Sequence, residues 1–106
     1  MFFNFSIFKV EGYSMHPDIT KGSYVLVNKN FGISSIFKKN CILIFKHNIY
    51  GNLIKQFEYE DRFRRLWFKG TSDMSISKKM IGPISKKNII GKVILVVRKN
   101  GLLFNL

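Results

Sequence analysis

Ser14 and Lys55 are the two side chains of this sequence whose types and surroundings could together perform nucleophilic catalysis. Ser14 lies between Gly12, which permits backbone angles closed to other residues, and Pro17, which prevents a long helix. A run of β-branched and aromatic residues at 24–27 then predicts a strand. Ser14 is therefore expected on a rigid loop before a strand, a position suited to a nucleophile.

A serine hydroxyl becomes a good nucleophile only when a base takes its proton, and the chain offers few bases. His16 is too close to the serine in sequence to arrive on a separate element, and the only other histidine is His47. A lysine can serve if burial in apolar surroundings lowers its pKa. Lys55 lies in such an apolar run, and Lys46, at the end of the preceding strand, is the alternative. Strand alternation leaves open whether Lys55 faces the core or solvent.

Taken together, these segments resemble the signal peptidase I and LexA-type serine peptidase superfamily, whose members use a Ser/Lys dyad. The similarity is carried by Gly-Tyr-Ser-Met-His-Pro at 12–17, Gly-Ser-Tyr-Val-Leu-Val at 22–27 and Leu-Ile-Lys-Gln-Phe at 53–57. Segment 70–84 is similar to a third box of the superfamily, and Ile-Ile-Gly-Lys-Val at 89–93 to its closing strand. Most of the chain is covered by this resemblance.

The resemblance implies a role for each matching residue. Ser14 would attack a peptide carbonyl and Lys55 would accept the hydroxyl proton, while the backbone N–H groups of Ser14 and Tyr13 would bind the oxyanion. Ser75 falls on the serine that orients the lysine amine in the superfamily. An extended polypeptide substrate would add as a strand, and four residues would contact it: Met15, Phe8, Val10 and Leu53.

Two other functions remain open from the sequence. Segment 70–84 lacks the Asp–Arg pair that braces the third box, which is compatible with an inactive peptide-binding pseudopeptidase. The chain also carries 18 Lys+Arg against 6 Asp+Glu, a formal net charge of +12, which favours an anionic partner. A basic β-barrel could bind nucleic acid through its arginine–aromatic cluster, which consists of Arg62, Phe63, Arg64, Arg65 and Trp67. That reading leaves the Ser-Met-x-Pro motif unexplained, so we do not expect a nucleic-acid partner.

The pattern of short apolar runs between turn residues predicts an all-β fold. We expect one domain over 1–106, a small twisted antiparallel sheet or barrel of the type found in signal peptidases and the LexA C-terminal region. Strands are predicted at 5–10, 24–28, 41–46, 52–57, 64–69 and 90–98. Segments 34–37 and 85–88 are each predicted to form at most a single helical turn.

No cofactor or metal site is expected, because one cysteine and two scattered histidines cannot assemble one. The apolar residues 1–8 are too few to span a bilayer, which takes about 20, and no basic lead of a signal peptide precedes them. We therefore expect a cytoplasmic protein or one in peripheral contact with an anionic membrane through residues such as Phe5. The chain contains no Ala-Gly or Cys-Gly pair of the kind self-cleaving repressors use, so cleavage is expected in trans. The oligomeric state is left open.

Overall fold

The computed structural model of the chain describes residues 4–10, 19, 21–29, 40–69 and 78–98, together with the backbone of 103–105. Within these residues the fold is a small twisted antiparallel sheet with one short helix and one 3-10 turn, which confirms the all-β class. The strands are β1 Phe5–Lys9, β2 Tyr24–Asn28, β3 Ile42–His47, β4 Gly51–Glu60, β5 Leu66–Lys69, β6 Ile89–Val97 and β7 Leu103–Asn105. Helix α1 spans Lys78–Ile81, and the 3-10 turn spans Lys86–Asn88.

The sheet is ordered β1-β2-β6-β3-β4-β5, with β7 pairing the C-terminal half of β6. Strand β6 therefore enters between β2 and β3, although it follows both by many residues in the chain. The β3–β4 hairpin is in continuous register from Ile42↔Gln56 to His47↔Gly51, and it turns through Gly51, whose φ is 74°. Within the described residues, β1 and β5 form the two ends of the sheet.

The contact between β2 and β6 depends on a glycine. The register of this pair shifts between Leu26 and Val27, and Gly91 of β6 lies close to the end of β2. A Cβ atom at position 91 would lie 2.7 Å from the carbonyl oxygen of Asn28 and would also overlap the Val27 side chain. Only glycine therefore allows β6 to approach β2 this closely.

Two hydrophobic clusters form the core. Cluster one packs the β2 and β6 half of the sheet against Val10 and Ile19, which lie between β1 and β2 in the chain. Its other buried members are Val25, Val27, Ile42, Ile44, Val93 and Val96. Cluster two lies around the β3–β4–β5 half, and its buried members are Leu43, Phe45, Phe57, Leu66, Phe68, Ile81 and Ile84. Phe45 and Phe68 stack at its centre, with ring centroids 4.4 Å apart. The alternation of β3 sends Ile42 and Ile44 into one cluster and Leu43 and Phe45 into the other.

The observed elements differ from the predicted ones at a few ends. Strand β4 continues to Glu60 rather than ending at residue 57, and β5 begins at Leu66 rather than at residue 64. The predicted helical turn at 85–88 is present as the 3-10 turn, with Ser85 at its N-cap. Helix α1 and strand β7 were not predicted, and the predicted turn at 34–37 lies outside the described residues.

Candidate active site

Lys55 occupies the middle of β4, directly across from Leu43 of β3. Residues two apart on a strand share a face, so Lys55 lies on the same side as Leu53 and Phe57. Phe57 and Leu43 belong to cluster two, and Leu53 packs against it. The lysine is fully buried, with 0% of its surface exposed. Its face of the strand is thus the core face, which decides between the two orientations that the sequence left open.

The amine of Lys55 has an unusual electrostatic environment. Its Nζ atom is buried and has no hydrogen-bond partner among the described residues. Removal from water disfavours the charged ammonium, so burial lowers the pKa of Lys55 from 10.5 to about 8. A buried amine without a partner is energetically costly, and such groups are concentrated at functional sites. With this pKa, roughly one molecule in ten carries a neutral amine at pH 7.

Lys46, the alternative base, has a different environment. It lies near the end of β3, where its side chain is exposed, and it pairs with Asn52 in the hairpin. Of the two candidate lysines, only Lys55 therefore meets the requirement of apolar burial.

The pairing of β4 changes next to Lys55. Strand β5 pairs with β4 from Gln56 to Glu60 and ends at Lys69, which is opposite Gln56. From Gly51 to Lys55, the strand pairing of β4 within the described part of the chain is with β3.

The segment that carries Ser14 is anchored at both of its flanks. The backbone N–H of Val10 donates to the oxygen of Ser23 over 2.8 Å, and that of Gly22 donates to the oxygen of Val10 over 2.7 Å. Val10 and Ile19 are both buried in cluster one. Ile54, the neighbour of Lys55 in β4, packs against the same cluster. The flanks of the serine segment thus pack with the face of β4 that carries Ile54, which is opposite the face that carries Lys55.

The remaining predicted site residues fall into two groups. Ser14, Tyr13, Met15 and Ser75 lie outside the described residues. Of the predicted substrate contacts, Val10 is buried in cluster one and Phe8 packs against it from β1. Leu53 lies half-buried beside cluster two, across from Phe45. The structure therefore places Phe8 and Val10 together and Leu53 on the lysine strand.

His47 was not predicted to have a role, and the structure shows it to be buried at the end of β3. Its Nδ1 accepts the N–H of Ile49 over 3.0 Å and that of Tyr50 over 3.3 Å. Its Nε2 lies 2.9 Å from the carbonyl oxygen of Ile81 in α1, and this set of bonds requires the tautomer in which Nε2 carries the proton. A lone histidine in a sequence carries no signal for such a bond, because Ile81 is distant in the chain. Its role is to hold the β3–β4 turn against α1.

No group of His, Cys, Asp and Glu side chains in the described ranges could hold a metal ion. The helices of those ranges include none that is both long and apolar enough to cross a membrane. No protein-family model matches the chain, and no curated protein matches it either.

Proposed function

We propose that this protein is a serine endopeptidase that uses a Ser14/Lys55 dyad, similar to signal peptidase I, and that it cleaves extended peptide segments in trans. The observation that carries the proposal is the buried amine of Lys55, which has no hydrogen-bond partner among the described residues and whose pKa is about 8. A general base works best when its pKa is near the operating pH, because it is then often unprotonated and still basic enough to take a proton. An ordinary structural lysine has no need of this environment.

The chemistry follows from the two side chains. The Ser14 oxygen attacks the substrate carbonyl carbon while its proton passes to the neutral Lys55 amine. The backbone N–H groups of Ser14 and Tyr13 stabilise the resulting oxyanion. When the intermediate collapses, the C–N bond breaks, and the leaving amine takes the proton from Lys55. A water molecule then attacks the acyl-serine and gives a proton to Lys55. The bond between the acyl group and the Ser14 oxygen breaks, the acid leaves, and the Ser14 oxygen takes the proton back from Lys55.

In this proposal an extended peptide binds near Lys55 on β4. Leu53 shares its face of the strand with Lys55 and would contact the peptide beside the base. Val10 belongs to cluster one and Phe8 packs against it, and these two residues would contact the substrate as the resemblance implies. Met15 and Ser75 are proposed to act as the resemblance implies.

The test is cleavage of a complex peptide library, with mass spectrometry used to identify the new termini. The wild type is compared with Ser14→Ala, Lys55→Met and the control Lys46→Met, which removes an exposed lysine from the neighbouring strand. We expect new termini with the wild type and the control, and none with the first two variants. Far-ultraviolet circular dichroism checks that each variant is folded.

The pH profile gives a second readout. Cleavage by the wild type should increase with pH and level off above about 8, because Lys55 must lose its proton to act as the base. A rate that is highest in acid, or that survives either dyad substitution, contradicts the mechanism. If a folded wild type retains peptides without cutting them, the chain is a pseudopeptidase and the proposal of activity is wrong.

A further inference from the structure

The turn between β4 and β5, which we call the arginine turn, spans Asp61–Arg65 and is rigidly built. Asp61 Oδ1 accepts the backbone N–H groups of Phe63 over 2.9 Å and of Arg65 over 3.0 Å. Its Oδ2 accepts Arg65 Nε and Trp67 Nε1, each over 3.0 Å. Desolvation of the carboxyl opposes ionisation, but these four hydrogen bonds outweigh it and lower the pKa of Asp61 to about 2. The carboxylate therefore stays charged and keeps the turn in one conformation.

This rigid turn presents an apolar ring surrounded by positive charge. Phe63 is 63% exposed. The guanidinium carbons of Arg62 and Arg65 lie over its ring, at 5.0 and 5.1 Å from the centroid. Arg64 is also exposed, and its φ of 64° tightens the turn. Only Asp61 provides a compensating negative charge within the turn, and it is paired with Arg65.

We propose that the arginine turn docks the protein on the surface of an anionic lipid bilayer. Phe63 would enter the interface between headgroups and acyl chains, and the arginines around it would contact lipid phosphates. Behind the turn, Tyr59 and Trp67 stack with ring centroids 6.0 Å apart. Aromatic rings with a polar edge favour this boundary. The formal net charge of +12 adds a long-range attraction to the same surface.

The geometry favours a lipid surface over nucleic acid. Binding of single strands relies on bases that stack on open aromatic rings. Two guanidinium groups already lie over the Phe63 ring, so a base would compete with them. Trp67 stacks on Tyr59, and its Nε1 is bonded to Asp61. Insertion into a bilayer needs no such displacement, because the ring edge enters first and the guanidinium groups stay at the phosphate level.

The experiment uses sedimentation with vesicles of phosphatidylcholine alone or with roughly 30% phosphatidylserine, at about 50 mM and about 500 mM salt. We expect binding to the anionic vesicles at low salt and release at high salt. Phe63→Ser should weaken binding about tenfold because the apolar anchor is lost. Combined Arg62→Gln and Arg64→Asn should weaken it about fivefold for each charge removed, and asparagine tolerates the positive φ at position 64.

Matched control variants test whether binding depends on the arginine turn itself or on any exposed charged or apolar side chain. Ile49→Ser removes a 78% exposed apolar side chain from the β3–β4 turn, which has no arginine. Combined Lys46→Gln and Lys87→Gln removes two exposed charges elsewhere on the surface. We expect Ile49→Ser to bind as the wild type does and the double lysine variant to lose much less affinity than the double arginine variant.

The single tryptophan of the chain reports where the turn lies. Lipids brominated along the acyl chain should quench Trp67 fluorescence on binding, since Trp67 Nε1 is bonded to Asp61 of the arginine turn. Three results would overturn the proposal. One is vesicle binding that is unaffected by the arginine-turn variants, without quenching of Trp67. Another is binding lost with Phe5→Ser in β1 but not with Phe63→Ser. The third is salt-sensitive binding of a single-stranded oligonucleotide that depends on Phe63 when vesicle binding does not.

Discussion

Lys55 and His47 are the two ionisable side chains that are buried in the described part of the chain, and they lie on the same hairpin. Each is placed against cluster two, His47 through the Ile81 carbonyl and Lys55 through Leu43. Their hydrogen bonding differs. The two ring nitrogens of His47 have three partners, whereas Nζ of Lys55 has none among those residues.

This difference agrees with a structural role for His47 and with the catalytic role proposed for Lys55. A buried polar group whose bonds are all made costs little and holds its neighbours in place. A buried group without bonds destabilises the fold, so selection for stability alone would replace it with an apolar residue of similar size. In the proposed dyad, Lys55 serves a reaction that needs this poor solvation. We therefore expect substitutions of these two residues to have opposite effects.

The largest expected effect is on catalysis. Lys55→Met should lower the rate of peptide cleavage by at least about 10³-fold, and Ser14→Ala should do the same. His47→Ala, measured well below its unfolding temperature and corrected for the folded fraction, should retain the rate within about threefold. Initial rates on one peptide from the library test this. If His47→Ala abolishes cleavage by a folded protein, the histidine is not merely structural and the comparison fails.

The second effect is a loss of stability at His47. Replacement by alanine removes three hydrogen bonds and leaves the Ile81 oxygen without its donor, so the free energy of unfolding should fall by about 2 to 4 kcal/mol. Urea unfolding followed by circular dichroism measures it. Lys46→Ala, an exposed neighbour on β3, is the control and should change stability by less than about 0.5 kcal/mol.

The third effect is a gain of stability at Lys55. Methionine fills a similar volume without a charge, so Lys55→Met should raise the free energy of unfolding by on the order of 2 kcal/mol at pH 7. The same urea experiment applies, and Lys46→Met should show no gain. A clear destabilisation by Lys55→Met would mean that a group outside the described residues stabilises the amine, and the cost inferred from its missing bonds among the described residues would be wrong.

The sequence predicts the fold class well because strand signals are local. Alternating apolar residues between turn residues give six of the seven strands within a few residues of their observed ends. Strand β5 begins later than predicted because Asp61 organises residues up to Arg65 into a turn. Strand β7 and helix α1 are short and are formed through contacts with distant residues, β6 for the strand and His47 for the helix. The insertion of β6 between β2 and β3 likewise has no local signal.

In the candidate site, too, the local features could be predicted from the sequence and the contacts between distant residues could not. The apolar run around Lys55 could be found in the sequence, but the alternation of β4 allowed a core-facing or a solvent-facing lysine. Only the pairing with Leu43 and the packing of cluster two decide the direction. The register that places Lys69 opposite Gln56 could not be predicted either, because it depends on how β4 and β5 pair. The role of Ser14 remains a prediction from its motif.

The smallest expected effect is a change in the free energy of unfolding with pH, and it tests whether burial lowers the pKa of Lys55. A lysine in the unfolded chain holds its proton up to about pH 10.5, whereas burial lowers the pKa of Lys55 to about 8 in the folded protein. Between these values the unfolded state binds more protons, so the free energy of unfolding must rise with pH. Below about 8 both states are protonated and the penalty is constant.

We therefore expect the stability difference between Lys55→Met and the wild type to be largest below about pH 8. It should shrink by at most about 1.4 kcal/mol per pH unit as the pH rises toward 10.5. Measuring the difference rather than the wild type alone cancels the titration of the other lysines. Lys46→Met, which replaces an exposed lysine on the neighbouring strand, is measured over the same range as the matched control. A flat difference for Lys55→Met would show that desolvation does not disfavour its charge, and the contrast with His47 would then lose its electrostatic basis.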